Sequence, residues 1–455
     1  MLGLLLGAFF ILRKILFFSY DQDDEFFGLA RQLDHYGLAA ISGAHKGLGY
    51  PLWLSLFFPL GRLLHADPSM LIPPVQMAGY FAAAFALRQA IASHSIRAAR
   101  LVWMGCCCNI FALSYLALII TDSFALIFLL LLAVWWTRSS CPSPRPSSAR
   151  GRGGSALTAT SFTGAALTGC LVIIRPGNLL LLPVFAAGLA ALLWMKPQYR
   201  KLPLVSCALL GGLIGFALPL SPQIAMNRTY YNSLSPVPHE PLLYSQLFRG
   251  RYQLKVGGAL VAQRLIPVFY LNPLFEDAEK QPRTWRVLPE NRPADPLRWY
   301  VDHPLAGLAT MALHDFNLVD QDMFFGHSPE LHPWWRLPSI LLDHCMLALA
   351  ALGLIAWRKQ ANTAPGLCAW ALLTLFILAH FALYSLMAVE MRYGLPLLLA
   401  ASPLAFVGAA SLFQYPFRRK LAIMLLVAAY VGFAMTLSNW VRDQSPQLRT
   451  HTNAG

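Results

Sequence analysis

The sequence predicts an all-α polytopic membrane protein with about eleven transmembrane helices, and three observations carry that expectation. The chain is 57% hydrophobic and only 12% charged, with mean hydropathy +0.52, against roughly 25% charged residues in a soluble domain; it lacks the polar surface to coat a water-soluble globule. Its 455 residues hold a series of apolar runs of bilayer-spanning length. Its basic residues collect in short linkers between those runs, the pattern of cytoplasmic loops.

The runs fall near 1–20, 71–93, 99–119, 121–137, 156–174, 177–195, 202–220, 338–357, 364–386, 394–413 and 419–440. The first, MLGLLLGAFFILRKILFFSY, lacks the basic start and small-residue cleavage site of a signal peptide and reads as a membrane helix. Arg13 and Lys14 within it must snorkel, face protein or mark a shallow helix, because a charge at the centre of a span costs about 3 kcal/mol. YPLWLSLFFPLGRLL at 50–64 is short and Pro-broken, which suits an interfacial or re-entrant segment. RSSCPSPRPSSARGRGG at 138–154 has the composition of a disordered linker.

Arg88, Arg97 and Arg100; Arg138, Arg145, Arg150 and Arg152; Lys196, Arg200 and Lys201; Arg358 and Lys359; and Arg418, Arg419 and Lys420 lie in linkers free of Asp and Glu. Outside them the chain is close to neutral, so the net charge of +14 is a topology signal rather than a nucleic-acid-binding surface. Those linkers are expected inside, which puts the N-terminus in and the C-terminus out. The eight Cys include Cys106, Cys107 and Cys108 within an apolar run and form no CxxC pair, so core packing is their expected role.

The remaining polar segments fall on the opposite face: the loop 21–70, short turns at Thr121–Asp122, Arg175–Gly177 and Glu390–Tyr393, and a segment of about 221–337 too long to be a connector. That segment carries Trp285, Trp299, Tyr300, Trp334 and Trp335, suited to the membrane interface or to stacking on a sugar. The run DQDDE places Asp21, Asp23, Asp24 and Glu25 at the exit of the first helix. Asp122, Arg175 and the pair Glu390–Arg392 stand at other helix ends, and Asp343 with His344 lies a turn inside another. Thr121 and Asp122 also suit a helix cap, and Glu390 with Arg392 suits a local ion pair. Ionisable groups at membrane depth are costly and mark functional sites by default. A lipid-linked phosphate would sit level with them: Arg175 and Arg392 could neutralise a phosphate leaving group, and a carboxylate could take a proton from an attacking hydroxyl or stabilise an oxocarbenium-like state. His45, Lys46, His239, Glu240, His303 and His314 have no metal-ligand spacing.

These stretches resemble the GT-C superfamily of polyprenyl-phosphate-sugar-dependent glycosyltransferases, whose members include lipid A aminoarabinose transferases and protein O-mannosyltransferases. DQDDEFF, GLARQLDHYG and GLGYPLWLSL are similar to its first outer loop, TDSFALIFLLLLAV to its second outer turn, and RPGNLLLLPV to its Arg-Pro turn. PLSPQIAMNRTYYNS is similar to the segment entering its large loop, and EMRYGLPLLLAA to its Glu-Arg-Tyr-x-x-Pro element. The resemblance covers most of residues 15–410. It implies a GT-C-like bundle with interfacial helices in the first outer loop and a large periplasmic loop. The catalytic module would be 1–220 with first periplasmic loop 21–70, the cap 221–337, the C-terminal helices 338–440 and the tail 441–455. It also implies a general base among Asp23, Asp24 and Asp21. Glu25, Tyr50, Asp122, Arg175, Asn227, Arg228, Glu390, Arg392 and Tyr393 are the implied substrate-binding residues. The partners implied are a polyprenyl-phosphate-linked sugar donor, a periplasmic acceptor (lipid, glycan or protein) and the bilayer of a bacterial inner membrane, with no nucleic acid and no cofactor. A transporter or flippase of lipid-linked sugars, or a surface-polysaccharide polymerase or ligase, are the alternative readings.

Overall fold

The structure is a computed structural model that describes residues 2–17, 24–37, 47–140, 153–238, 242–261, 264–276, 295–321 and 336–445. Among these, nine helices are long and apolar enough to cross a membrane, and a bent pair adds a tenth if it counts as one span. This is the architecture of a multi-pass α-helical membrane protein. Two compact units divide it, Met1–Glu240 with Leu354–Phe376 and Pro241–Gly353 with Ile377–Gly455.

In the first unit the elements are α1 (Leu2–Phe17), α2 (Asp24–Tyr36), α3 (Gly49–Ser55), α4 (Phe57–Leu64), α5 (Pro68–Ala92), α6 (Ile96–Cys107), α7 (Ile110–Leu116), α8 (Thr121–Ser140), α9 (Gly153–Ile174), α10 (Leu181–Met195) and α11 (Leu202–Tyr231). The Pro-broken stretch at 50–64 becomes α3 and α4. Tyr50, Leu54, Phe57 and Phe58 are buried, while Leu56, Leu60, Leu63 and Leu64 are exposed, an apolar outer face suited to lie in lipid headgroups. The run at 99–119 is broken rather than continuous. Asn109, fully buried, accepts a 3.0 Å hydrogen bond from Ala112 N and so starts a new helix; α6 and α7 meet at 51°.

Helix α11 continues to Tyr231, well past its expected end near 220, despite Pro219 and Pro222. Its 30 residues rise about 45 Å, longer than a hydrocarbon core of about 30 Å. Leu220, Gln223, Met226 and Asn227 are buried along that extension, so packing outweighs the helix-breaking tendency of the prolines. It closes at Asn232 in the left-handed conformation, φ 49°. Gly215 lets α11 approach α9 closely, because a Cβ there would overlap Phe162 O.

The second unit comprises α12 (Leu242–Gly250), β1 (Gln253–Val261), β2 (Arg264–Leu271), α13 (Arg298–Asp302), α14 (Pro304–Val319), α15 (Arg336–Gln360), α16 (Ala364–Tyr384), β3 (Val389–Glu390), α17 (Leu395–Leu412) and α18 (Phe417–Arg442), with the end of α15 and the start of α16 belonging to the first unit. The strands form a sheet of order β2-β1-β3. β1 and β2 pair antiparallel; β1 and β3 pair parallel, with Lys255 opposite Val389 and Val256 opposite Glu390. The sheet is an addition to the helical expectation. Its signal was the β-branched and aromatic RLIPVFYL, and the Gly257–Gly258 pair beside it argues for no helix.

Candidate functional site

In the first unit, residues 47–50, 121–124 and 173–178 converge. A Cβ on Gly47 or Gly49 would run into Ile173, so only glycine lets this loop lie against the end of α9. Leu48, Ile173, Val172 and Leu33 share one core cluster with Leu220 and Met226, which fastens α2 to the same place. Phe26, in the first turn of α2, packs edge-on to Tyr50 at 5.6 Å, and Tyr50 meets Phe124 at 6.0 Å. Tyr50 is fully buried, and its hydroxyl donates to Gln76 Oε1 at 3.0 Å. Gln76 in turn donates to Leu116 O and Leu118 O, which stops α7 ahead of α8.

This framework holds a buried ion pair. Asp122, in the first turn of α8, and Arg175, just after α9, face each other as carboxylate and guanidinium, with side chains 3% and 13% exposed. Arg175 leaves the helix in an extended conformation ahead of Pro176, as a residue before proline must. Asn178 Nδ2 bonds Leu171 O at 2.9 Å and closes that turn. Sequence reasoning singled out both charges but did not pair them; they are 53 positions apart. In this unit the described Arg138 and Lys196 lie at the opposite ends of α8 and α10. Arg138 ends α8, about 24 Å along the axis from Asp122, and Lys196 Nζ, after α10, bonds Ser139 O at 2.7 Å.

Asp24 and Glu25 open α2, so their backbone begins two residues ahead of Phe26 and its contact with Tyr50; Asp21 and Asp23 lie outside the described residues. Arg62 grips α2 from α4 with two bonds to Asp34, at 2.5 and 2.9 Å. That hydrogen bonding holds the Asp34 carboxyl below its ordinary range. Asn227 is spent on structure: it is fully buried, accepts from Gln223, and donates to Ser235 O and Val237 O at 2.8 and 2.7 Å. Gln223 also takes Leu48 N at 3.0 Å, so this network steadies the loop before Tyr50. Arg228 is exposed.

In the second unit, Glu390 ends β3 and its carboxylate takes a 2.6 Å bond from Arg392 Nε and a 2.5 Å bond from the Tyr393 hydroxyl. The local ion pair is thus a triad, and His380 anchors it at Tyr393 O, 2.8 Å away. Arg249, which the sequence did not single out, is buried; burial pushes its pKa down, and the Glu390 carboxylate offsets part of that.

Beneath the sheet lies a network the sequence showed only in part, at Asp343 and His344. Lys255 and Asp320 are each 1% exposed; Lys255 Nζ donates to Asp320 O at 2.9 Å and pairs with Oδ2 at 3.3 Å. Asp320 Oδ1 meets His344 Nε2 at 3.2 Å, and Ser438 Oγ donates to Oδ2 at 2.9 Å. Burial would raise the Asp320 pKa, but the Lys255 charge and the His344 and Ser438 hydrogen bonds outweigh it and hold it down at about 2. Because Lys255 pairs with Val389 through its backbone, this knot steadies the strand that carries Glu390. Lys255 itself stands in the sequence only as a lone Lys within QLKVGGALV.

The chain matches no family model, and neither a curated protein nor a solved structure matches it.

Proposed function

We propose that the protein is a membrane glycosyltransferase of the GT-C type, which moves a sugar from a polyprenyl-phosphate donor to an acceptor on the side of the membrane away from the basic linkers. The single observation that carries this reading is the buried Asp122–Arg175 pair in the same corner of the first unit as Tyr50 and the start of α2. A guanidinium there can meet the donor phosphate by charge-assisted bonds, and a carboxylate among residues 21–25 can serve as the base. In the reaction, the acceptor hydroxyl attacks the anomeric carbon while the bond from that carbon to the phosphate oxygen breaks. The carboxylate takes the hydroxyl proton, and polyprenyl phosphate leaves with its charge balanced by Arg175. Asp122 keeps Arg175 oriented.

The test incubates the purified full chain in detergent with radiolabelled undecaprenyl-phosphate sugars and measures released undecaprenyl phosphate. Loss of the base, by Asp24→Asn, Asp23→Asn or Asp21→Asn, is expected to lower turnover about 100-fold or more in one of the three. Arg175→Gln is expected to lower it by a comparable factor. Full turnover with all three amide variants and with Glu25→Gln sinks the assignment, as does labelling by membrane-impermeant reagents that puts residues 21–25 on the side of Arg138. The broken pair α6–α7 favours a second reading, a flippase, because transporters build their sites at interrupted helices; that reading requires carrier transfer between leaflets of proteoliposomes without release of the sugar.

A further inference from the structure

Among the described residues, the second unit buries one guanidinium with no carboxylate beside it. Arg251, between α12 and β1, is 9% exposed. Its Nε donates to Phe248 O at 3.2 Å, and its guanidinium lies 4.2 Å from the Phe248 ring centre and 5.7 Å from that of Phe275. Among the described residues it has no carboxylate partner. Glu276, next to Phe275, is exposed, and Asp302 is paired with Arg298 at 3.3 Å. Glu390 is taken by Arg392 and Tyr393.

Removing a guanidinium from water is expensive, and two aromatic faces recover part of that cost. They do not use the fork of Nη donors, whose geometry suits a carboxylate or a phosphate. The backbone around Arg251 is built to hold it in place. Asn272 Nδ2 donates to Arg251 O at 2.7 Å and to Thr310 Oγ1 at 2.9 Å, and Asn272 N donates to Tyr252 O at 2.9 Å.

Around this cation runs a continuous series of rings: Tyr244 stacks on Phe248, Phe248 meets Tyr252, Tyr252 meets Phe275 at 6.1 Å, and Phe275 meets Trp299 at 5.4 Å. Phe248 and Tyr252 are buried, whereas Tyr244, Phe275 and Trp299 are half-buried, so one edge of the series reaches the surface beside the cation. Aromatic walls with a few fixed polar groups are how small polar ligands are bound. The flat apolar face of a pyranose fits such a wall, and an acidic group on it would complete the guanidinium.

We propose that Arg251 and the Phe275–Trp299 edge form a binding site for an acidic saccharide, one bearing a carboxylate or a phosphate. That this saccharide is the acceptor of sugar transfer rests on the function proposed above; the binding does not.

The experiment measures saturation-transfer NMR and Trp fluorescence on the purified full chain with three probes: hyaluronan tetrasaccharide for the carboxylate, mannose 6-phosphate for the phosphate, and neutral chitotetraose. At least one acidic probe is expected to bind about tenfold or more tighter than chitotetraose, the worth of charge-assisted hydrogen bonds to one anion. The probe that binds names the anion. Arg251→Gln should remove that preference and Arg251→Lys should restore part of it. Trp299→Leu, at a half-buried position, should weaken the binding of every probe. Equal binding of acidic and neutral probes, no binding of either acidic probe, or an unchanged preference in a monodisperse Arg251→Gln protein overturns the proposal. Acidic-probe binding that depends on Arg251 without any release of polyprenyl phosphate leaves the site standing and removes the transferase reading. Sugar transfer at equal KM for acidic and neutral acceptors keeps the transferase reading and overturns the acceptor role of this site.

Discussion

Substitution of Lys255 or Asp320 tests whether the knot beneath the sheet is a coupled ion pair. Both side chains are 1% exposed and 3.3 Å apart. Removing one member of such a pair leaves the other charge buried, a loss of about 3–5 kcal/mol. Lys255→Met is expected near the lower end, about 3 kcal/mol, because Asp320 keeps its bonds from Ser438 and to His344. Asp320→Asn should cost at least as much, since it takes the carboxylate from the buried Lys255 ammonium. The double variant removes both charges together, so it should be less destabilised than the two single losses combined, by about 2 kcal/mol or more; contacting residues couple over a range of about 0.5–3 kcal/mol. The assay is reversible unfolding of the detergent-solubilised chain in rising sodium dodecyl sulfate, followed by Trp fluorescence and circular dichroism. Effects that add to within about 0.5 kcal/mol would refute the pairing, and so would single variants as stable as the wild type.

The same carboxylate predicts a pH dependence. Its pKa is held at about 2 in the fold against an ordinary 3.8, so the unfolded chain binds the proton more readily. The stability it supplies is complete above about pH 4 and is lost as pH falls towards 2. The difference in melting temperature between wild type and Asp320→Asn should therefore shrink between pH 5 and pH 3, and a constant difference counts against the assignment. At Gly394, a Cβ would overlap Leu318 O, where α14 passes the turn carrying Arg392 and Tyr393. Gly394→Ala is expected to cost about 1–3 kcal/mol and to displace that turn; unchanged thermal stability of the variant would show that the backbones can part without cost.

The candidate site was partly legible before any tertiary structure. Asp122, Arg175, Glu390 and Arg392 stood out because a charge at the end of an apolar run is costly and visible, and Glu390 with Arg392 is close enough in sequence to be read as a pair. The bonds of the Asn227 amide with Gln223, Ser235 and Val237 are contacts that no local pattern announces. Arg249, Arg251 and Lys255 were missed because each is one basic residue among aromatic or apolar neighbours in LFRGRYQLKV, where periodicity gives no sign of what a charge faces.

Composition and the length of the apolar runs determined that the chain is a polytopic helical membrane protein, because spanning a bilayer is a local requirement that each segment meets alone. Only the tertiary structure decided which distant charges meet: Arg175 finds Asp122 and Lys255 finds Asp320, residues 53 and 65 positions away. Such contacts are set by how helices and strands pack, and neither hydropathy nor spacing encodes them.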